Sequence, residues 1–271
     1  MKILLCIAGM PYAEATVRFG GGIAGSTQSS VTLLHVISRR GERVAGRRVL
    51  DRAHEMLPDL TVTRRIRQGD PTERILTEIR RGHHNLVVVG ASQGSPLTQR
   101  LLGSVTLQII RRAPISVLVV RRAGPHLERV LICTGGLDVA EPVIEAGSRL
   151  AEAAHARAAL LHVISPVPSM YTGLDEIEET LPELLQTDTP TARHLRSGAE
   201  ILARHRVSAE LKLRYGVAAD EILSEAREGD YDLVVIGASG TAGRLRGWLL
   251  GDVTRQVVEH APRSVLVVRP A

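Results

Sequence analysis

The sequence predicts an α/β protein built from two tandem doubly wound, Rossmann-like domains, and three observations support this prediction. Short runs of Val, Leu and Ile alternate with longer segments of helical period, the pattern of parallel strands joined by crossover helices. Long motifs recur once along the chain at nearly constant offsets. Aromatic residues make up only 2% of the 271 residues, so aliphatic side chains must fill the cores.

The repeated motifs define the two copies. LLHVIS begins at Leu33 and recurs at Leu160, an offset of 127 residues. LVVVGAS begins at Leu86 and recurs as LVVIGAS at Leu233, an offset of 147, and APISVLVVR recurs as APRSVLVVR at 148. The increase in offset indicates an insertion of about 20 residues in the second copy, near residues 165–190.

The two halves are therefore one domain duplicated, and the segment RRAGPHLE joins them. We predict the first domain at residues 1–122 and the second at 127–271. The insertion of the second copy contains the acidic segment DEIEETLPELL. Two hypotheses remain open for it: a turn or two of amphipathic helix that covers a crevice or contacts a partner, and a mobile surface loop.

Each half is predicted to contain five strands and four helices. In the first copy we expect strands at 2–8, 30–37, 61–67, 85–90 and 115–121, and helices at 12–25, 43–57, 71–82 and 103–112. In the second copy we expect strands at 128–134, 158–164, 207–214, 231–237 and 263–269, and helices at 138–156, 191–205, 218–228 and 251–260. Right-handed crossovers with helices on both faces then give each copy a five-stranded parallel sheet of order 3-2-1-4-5. The ligand crevice of such a sheet lies at the carboxyl ends of its first and fourth strands.

The loop after the fourth strand of the first copy has the chemistry of an anion site. It reads GASQGSPLTQRLLGSVT from Gly90, and its last four residues begin a predicted helix. The glycines allow close approach of a ligand, and Gly103, Ser104 and Val105 present free amides and a hydroxyl at a helix N-terminus. It is not a P-loop, because GK[ST] is absent from the sequence. A glycine-rich turn is also an ordinary structural connection, so both interpretations stay open.

The same residues resemble the universal stress protein family, and the resemblance covers nearly the whole chain twice. That family carries G-x2-G-x9-G-[ST] in this loop, and LLHV, LLGSVT and APxSVLVV in this sequence are similar to it as well. The resemblance implies a stress-response binding or regulatory protein that binds ATP or AMP, with Mg²⁺ possible beside ATP. In ATP-binding members the glycines and the Gly-Ser/Thr pair hold the phosphates, and an Asp after the first strand positions the nucleoside.

The first copy matches the family motif incompletely. Gly90, Gly103 and Ser104 keep their spacing, but Gln93 stands at the second glycine position and Ala8 at the aspartate position. The nucleotide contacts that the resemblance implies in this copy are Ala8, Gly9, Val36, Gly90, Ser92, Gly94, Gly103, Ser104 and Val105.

The second copy departs further from the motif. Gly135 stands at the aspartate position, Gly251 lies one residue too far along, and Asp252 replaces the hydroxyl residue. A carboxylate at a helix N-terminus satisfies the dipole and the free amides, so we expect it to exclude a phosphate and leave a reduced or altered site. The positions implied in this copy are Gly136, Gly237, Ser239, Gly240 and Gly251.

The sequence predicts no catalytic residue and no metal site. The adjacent His83 and His84 do not converge on one metal, and Ser92 lacks a G-x-S-x-G elbow. The repeat-equivalent His35 and His162 are expected to be structural. Because no general base or metal-binding carboxylate is placed near the glycine-rich loop, an enzymatic role would be at most weak ATP hydrolysis.

The formal net charge of +5 comes mostly from arginine pairs scattered among acids, and there are few aromatics to stack on bases. Solvated surfaces are therefore expected rather than a nucleic-acid partner. No apolar run reaches the roughly 18 residues of a membrane span, and the N-terminus lacks a secretory signal pattern, so we expect a cytoplasmic protein without a membrane partner. Cys6 and Cys133 lie in apolar runs and are expected to be buried free thiols.

Two functional hypotheses remain. In the first, the chain is a regulatory module that binds an adenine nucleotide chiefly through its first copy and responds through an unknown protein partner. In the second, it is a nucleotide-independent scaffold whose sites have decayed. In the family, the last strands of two domains pair across a dimer axis, so the resemblance implies that the two SVLVV strands pair within this chain as a pseudo-dimer. Further assembly into a homodimer is left open.

Overall fold

A computed structural model of the protein describes residues 1–91, 102–121, 124, 126–135, 140–165, 180–238 and 250–270. Strands and helices alternate through these residues. The strands are β1 (Lys2–Cys6), β2 (Ser30–Ile37), β3 (Val62–Gln68), β4 (Leu86–Gly90), β5 (Ser116–Val120), β6 (Arg129–Thr134), β7 (Arg157–Ile164), β8 (Ala209–Tyr215), β9 (Leu233–Gly237) and β10 (Ser264–Val268). The helices are α1 (Glu14–Ser26), α2 (Arg43–Glu55), α3 (Pro71–Gly82), α4 (Ser104–Arg112), α5 (Glu141–Ala154), α6 (Leu181–Gln186), α7 (Pro190–Arg204), α8 (Ala218–Glu228) and α9 (Asp252–His260).

All ten strands belong to one sheet of order β3-β2-β1-β4-β5-β10-β9-β6-β7-β8. Each half of this sheet is parallel and has the order 3-2-1-4-5, which confirms the predicted doubly wound fold. The two halves meet where β5 and β10 pair antiparallel, with Val119 opposite Val265 and Leu118 opposite Leu266. The predicted intramolecular pairing of the two SVLVV strands is thus observed.

Two apolar layers cover the faces of the sheet, and each layer runs through both copies. Alternate residues of one strand enter different layers: Leu118 belongs to the layer that includes side chains of α1, α2, α5 and α7, whereas Val117 and Val119 belong to the layer that includes side chains of α3, α4, α8 and α9. Side chains on both faces of the central strands are therefore buried, which explains their nearly continuous Val, Leu and Ile runs. Because the layers cross the β5–β10 pair, neither copy has a core of its own that is closed at this edge.

Two arginines, one from each copy, bond to the other copy at either end of the β5–β10 pair, which we call the seam. Arg121, just after β5, donates from its guanidinium to the carbonyl oxygens of Val258 and Glu259 at the end of α9, at 2.8 and 2.9 Å. Arg269, just after β10, donates in the same way to Ile110 and Arg111 at the end of α4, at 2.8 and 3.1 Å. Each copy therefore caps the last turn of a helix that belongs to the other copy.

In each copy, a buried carboxylate joins the third strand to the helix that follows it. Glu78 on α3 lies 2.8 Å from the guanidinium of Arg67 on β3. At the equivalent position of the second copy, Glu225 on α8 lies 2.7 Å from Arg214 on β8 and also accepts a hydrogen bond from the Tyr231 hydroxyl. Because a buried carboxylate is costly without such partners, these pairs fix how α3 and α8 sit on the outer strands.

The insertion of the second copy ends in a helix that is shorter than the acidic segment. Helix α6 begins only after Thr180, because Thr180 and Glu183 form a capping box there. Leu184 of α6 packs with Ala192 and Leu195 of α7 in a small apolar cluster. The described end of the insertion is thus packed on the domain, while residues 166–179 lie outside the described residues.

The described helices include none that is both long and apolar enough to cross a membrane.

The seam predicts how the separated halves behave. Fragments 1–122 and 127–271, expressed together, should copurify as a one-to-one complex, because each alone exposes a strand edge and an uncapped helix end. Size-exclusion chromatography with light scattering measures the stoichiometry. The double change Arg121→Glu and Arg269→Glu places carboxylates against helix carbonyl oxygens and should separate the fragments. Fragments that elute separately without any substitution would contradict the proposed role of the seam.

Candidate functional site

A cavity of about 80 Å³ lies at the carboxyl ends of β1 and β4 in the first copy, where the strand order reverses. Four of the residues implied by the sequence line it: Ala8, Val36, Gly90 and Val105. The remaining wall is largely apolar and comes from β1, β2, β4, α1 and α3. Its other lining residues are Cys6, Ile7, Tyr12, Ala13, Thr16, Leu34, Pro71, Ile75, Val89 and Thr106.

The first turn of α4 is fixed beside this cavity by two hydrogen bonds to the end of β4. The amide of Gly103 donates to the Ala91 carbonyl oxygen at 2.8 Å, and the Thr106 hydroxyl donates to the Gly90 carbonyl oxygen at 2.8 Å. Gly103 is the N-cap and has no side chain, so it cannot cap the amides of the first turn. The exposed Ser104 begins the helix. The partial positive charge of this helix end therefore faces the crevice.

Of the other implied residues that the structure describes, Gly9, Gly103 and Ser104 are not among those that line the cavity. Gly9 lies in the loop after β1, where its carbonyl oxygen accepts from the Ala13 amide at 2.9 Å. A Cβ added to Gly9 would meet nothing within 4 Å, so close packing does not require glycine there. Ser92 and Gly94 lie outside the described residues, as does Gln93.

His35 has the structural role that its repeated position predicts. Its Nδ1 lies 2.7 Å from the carbonyl oxygen of Ile7, the residue before Ala8. The imidazole therefore ties β2 to the end of β1 beside the cavity. Gly46 of α2 lies over the same ring, since a Cβ there would come within 2.9 Å of it. Glycine at this position lets α2 approach His35 closely.

Tyr12 was missed by the sequence reasoning. It lies in the loop between β1 and α1, lines the cavity and is 61% exposed. An exposed aromatic ring at the edge of an apolar cavity offers a flat surface to a ligand. The only sequence signal for this residue is its place just after the first strand in a chain with four tyrosines.

The cysteines are free, as expected, and Cys6 contributes a neutral wall to the cavity. Burial, with a smaller effect of the Glu78 charge, raises the pKa of the Cys6 thiol far above its usual range. Burial does the same to the pKa of Cys133. Neither thiol is therefore a thiolate nucleophile near neutral pH.

The second copy repeats the backbone geometry but not the charge. Gly251 is the N-cap of α9, its amide donates to the Ala238 carbonyl oxygen at 3.1 Å, and Thr254 donates to Gly237 at 2.7 Å. Asp252 begins the helix with a side chain that is 89% exposed. Among the described residues its carboxylate accepts no hydrogen bond from the amides, contrary to the expectation that it occupies them. It opposes an incoming phosphate through its charge alone. Gly136, Ser239 and Gly240 lie outside the described residues.

A histidine pair further distinguishes the second copy. His162 on β7, the equivalent of His35, is buried with its ring centroid 5.6 Å from that of His194 on α7. Burial lowers the pKa of both rings, and for His162 the neighbouring His194 adds to the effect. The Nε2 of His194 is buried without a partner among the described residues. Two neutral imidazoles thus lie between α7 and β7.

Within the residues that the structure describes, no group of three or more His, Cys, Asp or Glu side chains could hold a metal ion.

Two doubly wound sheets of order 3-2-1-4-5, joined at their last strands and each with a glycine-capped helix beside the crevice, define a tandem α/β protein of Rossmann-like topology. The model of the universal stress protein family matches residues 1–121 and 126–269. The chain therefore belongs to the universal stress protein family, with one family unit in each half.

Individual relatives agree with this assignment. A universal stress protein of Thermus aquaticus is 33% identical over 141 residues, which are 52% of this chain and 97% of the relative. YxiE of Bacillus subtilis is 28% identical over 146 residues, 52% of this chain and 98% of the relative. A universal stress protein of Archaeoglobus fulgidus has the same fold along the whole chain, with a TM-score of 0.76, 16% identity and coverage of 100% of this chain and 98% of its own.

The histidines predict how stability depends on pH. An unfolded histidine binds a proton near its ordinary pKa of about 6.5, whereas buried His194 resists protonation until lower pH, so acid favours unfolding. His194→Leu should therefore make the fall in melting temperature between pH 7.5 and 5 shallower than in the parent. Differential scanning fluorimetry across this pH range measures the slope.

His205 serves as the control, because its pKa is shifted in the opposite direction to that of His194. Its ring contacts Glu152 at 2.6 Å and Glu145 at 3.0 Å, and these partners raise its pKa. The stability that His205 adds to the folded state is present at low pH and disappears as the pH rises through its folded-state pKa. His205→Gln should make the fall in acid steeper. If both substitutions change the slope in the same direction, this assignment of charge states is wrong.

Proposed function

We propose that the first copy binds an adenine nucleotide, ATP or AMP, and that the bound state alters contacts with a protein partner during stress. The observation that carries this proposal is the apolar cavity lined by Ala8, Val36, Gly90 and Val105 beside the open first turn of α4. An apolar slot next to a fixed row of amides suits a ligand with a flat base at one end and phosphates at the other.

The cavity volume limits how the nucleotide can lie. About 80 Å³ is well below the range of roughly 300–1,000 Å³ that encloses a whole drug-sized ligand. Only part of the base would be enclosed, against Val36 and Ala8. The ribose and phosphates would extend outward along α4, where the amides of Ser104, Val105 and Thr106 would hold the phosphate oxygens together with the Ser104 hydroxyl.

The chemistry of this site favours binding over turnover. Ala8 replaces the carboxylate that positions the nucleoside in ATP-binding relatives, so it offers neither a hydrogen bond to the sugar nor a ligand for a metal. The nearby thiol of Cys6 is neutral and cannot act as a base. Mg²⁺ would arrive with ATP, bound through the phosphates. Nucleotide exchange, rather than hydrolysis, is the proposed signal.

We also propose that the two domains have their boundaries at residues 1–122 and 127–271, and that the protein acts in the cytoplasm. The repeated strand order supports the division at the linker. The free thiols of Cys6 and Cys133 suit a reducing compartment that also supplies adenine nucleotides.

The difference between the copies supplies the test. Ser104→Asp gives α4 the residue that begins α9, and the added charge should weaken ATP binding more than about tenfold in calorimetric titration of nucleotide-free protein. Helix stability should not suffer, because an acidic residue at a helix N-terminus is favourable. Gln108→Asp adds the same charge one turn later on the exposed side of α4 and serves as the control. Equal binding by the parent and Ser104→Asp would rule out phosphate binding at this helix end.

A second candidate function, a nucleotide-independent interaction scaffold, is favoured by the distribution of charge. Residues 39–68 contain nine arginines and four acids, a net charge of +5 that equals the net charge of the whole chain. The equivalent residues 166–215 of the second copy carry a net charge of −2. Arginine pairs that are scattered in the sequence thus lie together on α2 and on β3, an outer strand of the ten-stranded sheet. We call residues 39–68 the basic face.

The basic face contains a groove of about 310 Å³ lined by Arg43, Arg47 and Arg64, by Asp51, which pairs with Arg64, and by Leu50 and Ile66. Among the described residues, six of its guanidinium groups form no ion pair: those of Arg39, Arg40, Arg43, Arg47, Arg48 and Arg65. The segment lacks aromatic side chains for stacking bases and instead exposes Val44. An acidic peptide that lies along β3 fits these features better than a nucleic acid does.

This candidate predicts that Arg43→Glu with Arg47→Glu weakens binding of a fluorescein-labelled peptide of alternating Glu and Val by more than about tenfold in fluorescence anisotropy. Arg204→Glu with Arg227→Glu makes the same charge change at exposed positions of the second copy and should leave binding intact. A labelled DNA duplex serves as the second probe. Tight binding of the duplex with none of the peptide would reject an acidic protein partner.

A further inference from the structure

The helix that would hold the phosphates is fastened at its two ends by different copies. At its first turn, Gly103 and Thr106 bond to the end of β4 within the first copy. At its last turn, the guanidinium of Arg269 from the second copy bonds to the carbonyl oxygens of Ile110 and Arg111, at 2.8 and 3.1 Å. The position of α4 therefore depends on both halves of the chain.

Arg269 is itself held in place. Its backbone amide donates to the Ser116 hydroxyl at the start of β5, at 3.1 Å, and its side chain is only partly exposed. A guanidinium fixed in this way gives two directed bonds and a positive charge at the negative end of the helix. Helix α4 has nine residues, and an isolated helix of that length is marginal in water. Its order must come from such tertiary contacts.

We propose that Arg269 is a positioning residue for the nucleotide site of the first copy, acting through α4 across the seam. This inference rests on the proposed binding of nucleotide at the first turn of α4. Without the Arg269 cap, the last turn frays, the helix loses its attachment to the second copy, and the amides of Ser104, Val105 and Thr106 lose their fixed direction toward the crevice. The phosphate then has to order these amides on binding, which lowers its affinity.

The pseudo-two-fold symmetry of the chain provides a matched control. Arg121 makes the same pair of bonds to the last turn of α9, and its backbone amide donates to the Ser264 hydroxyl at 3.2 Å. Helix α9 begins with Asp252, whose charge opposes a phosphate. Loss of either arginine removes an equivalent structural contact, but only Arg269 supports the helix of the proposed site.

The test compares Arg269→Met with Arg121→Met in the full chain. Both substitutions should lower the melting temperature by similar amounts, because the contacts that they remove are equivalent. ATP affinity, measured by calorimetric titration, should fall about fivefold in Arg269→Met and stay within about twofold of the parent in Arg121→Met. A purely structural role would change the affinity of both variants equally, and that result would overturn the proposal.

Hydrogen exchange followed by mass spectrometry supplies a readout that needs no ligand. Hydrogen-bonded amides from Leu107 to Arg112 of α4 should exchange faster in Arg269→Met, and those from Arg255 to His260 of α9 in Arg121→Met. Unchanged exchange at Leu107–Arg112 in Arg269→Met would refute positioning by Arg269. If the parent fails to bind ATP, the proposed function is wrong, and the exchange data still decide whether Arg269 orders α4.

A second variant covers the case in which Arg269→Met does not fold. Both bonds come from one nitrogen, Nη2; Arg269→Lys keeps the positive charge, but its shorter side chain ends before the position of that nitrogen. It should show the same faster exchange at Leu107–Arg112 in smaller degree. Exchange identical to that of the parent in this variant would contradict a role for the paired hydrogen bonds.

Discussion

Antiparallel pairing of β5 with β10 is the constraint on which the rest of the structure depends. Three residue pairs, from Val117 with Val267 to Val119 with Val265, turn two five-stranded parallel sheets into one sheet of ten. The pairing removes two apolar edges that would otherwise invite other strands. The two apolar layers also continue across the seam. Arg121 and Arg269, which follow β5 and β10, each reach the last turn of a helix from the other copy. The duplication is thus a single structural unit rather than two linked ones.

The two copies share this frame but differ in the residues that would meet a ligand. In the first, Ser104 begins α4 and the cavity wall is neutral; in the second, Asp252 begins α9. The backbone hydrogen bonds around both helix starts are nearly the same. A difference of one charged side chain on an otherwise repeated geometry explains why the proposed binding is confined to one copy.

Much of the fold was predictable because it is repeated in the sequence. Offsets of 127 and 147 to 148 residues give the duplication and the insertion. The strand order follows from the rules for crossover connections, whereas the pairing of the last strands and the grouping of Ala8, Val36, Gly90 and Val105 at one crevice were implied by the family resemblance. The arginine caps were not predictable, because their acceptors are backbone carbonyl oxygens that leave no residue pattern. The basic face was also missed, since its arginines lie on separate elements and look scattered along the chain. Tyr12 gave too weak a signal to single out.

The central claim is that one chain holds one nucleotide, in the first copy. Native mass spectrometry of the nucleotide-free protein mixed with excess ATP counts the bound molecules directly. The account predicts one ATP per chain in the parent and none after Ser104→Asp. Two ATP molecules per chain would contradict the asymmetry between the copies, and no bound ATP at all would contradict the nucleotide site itself.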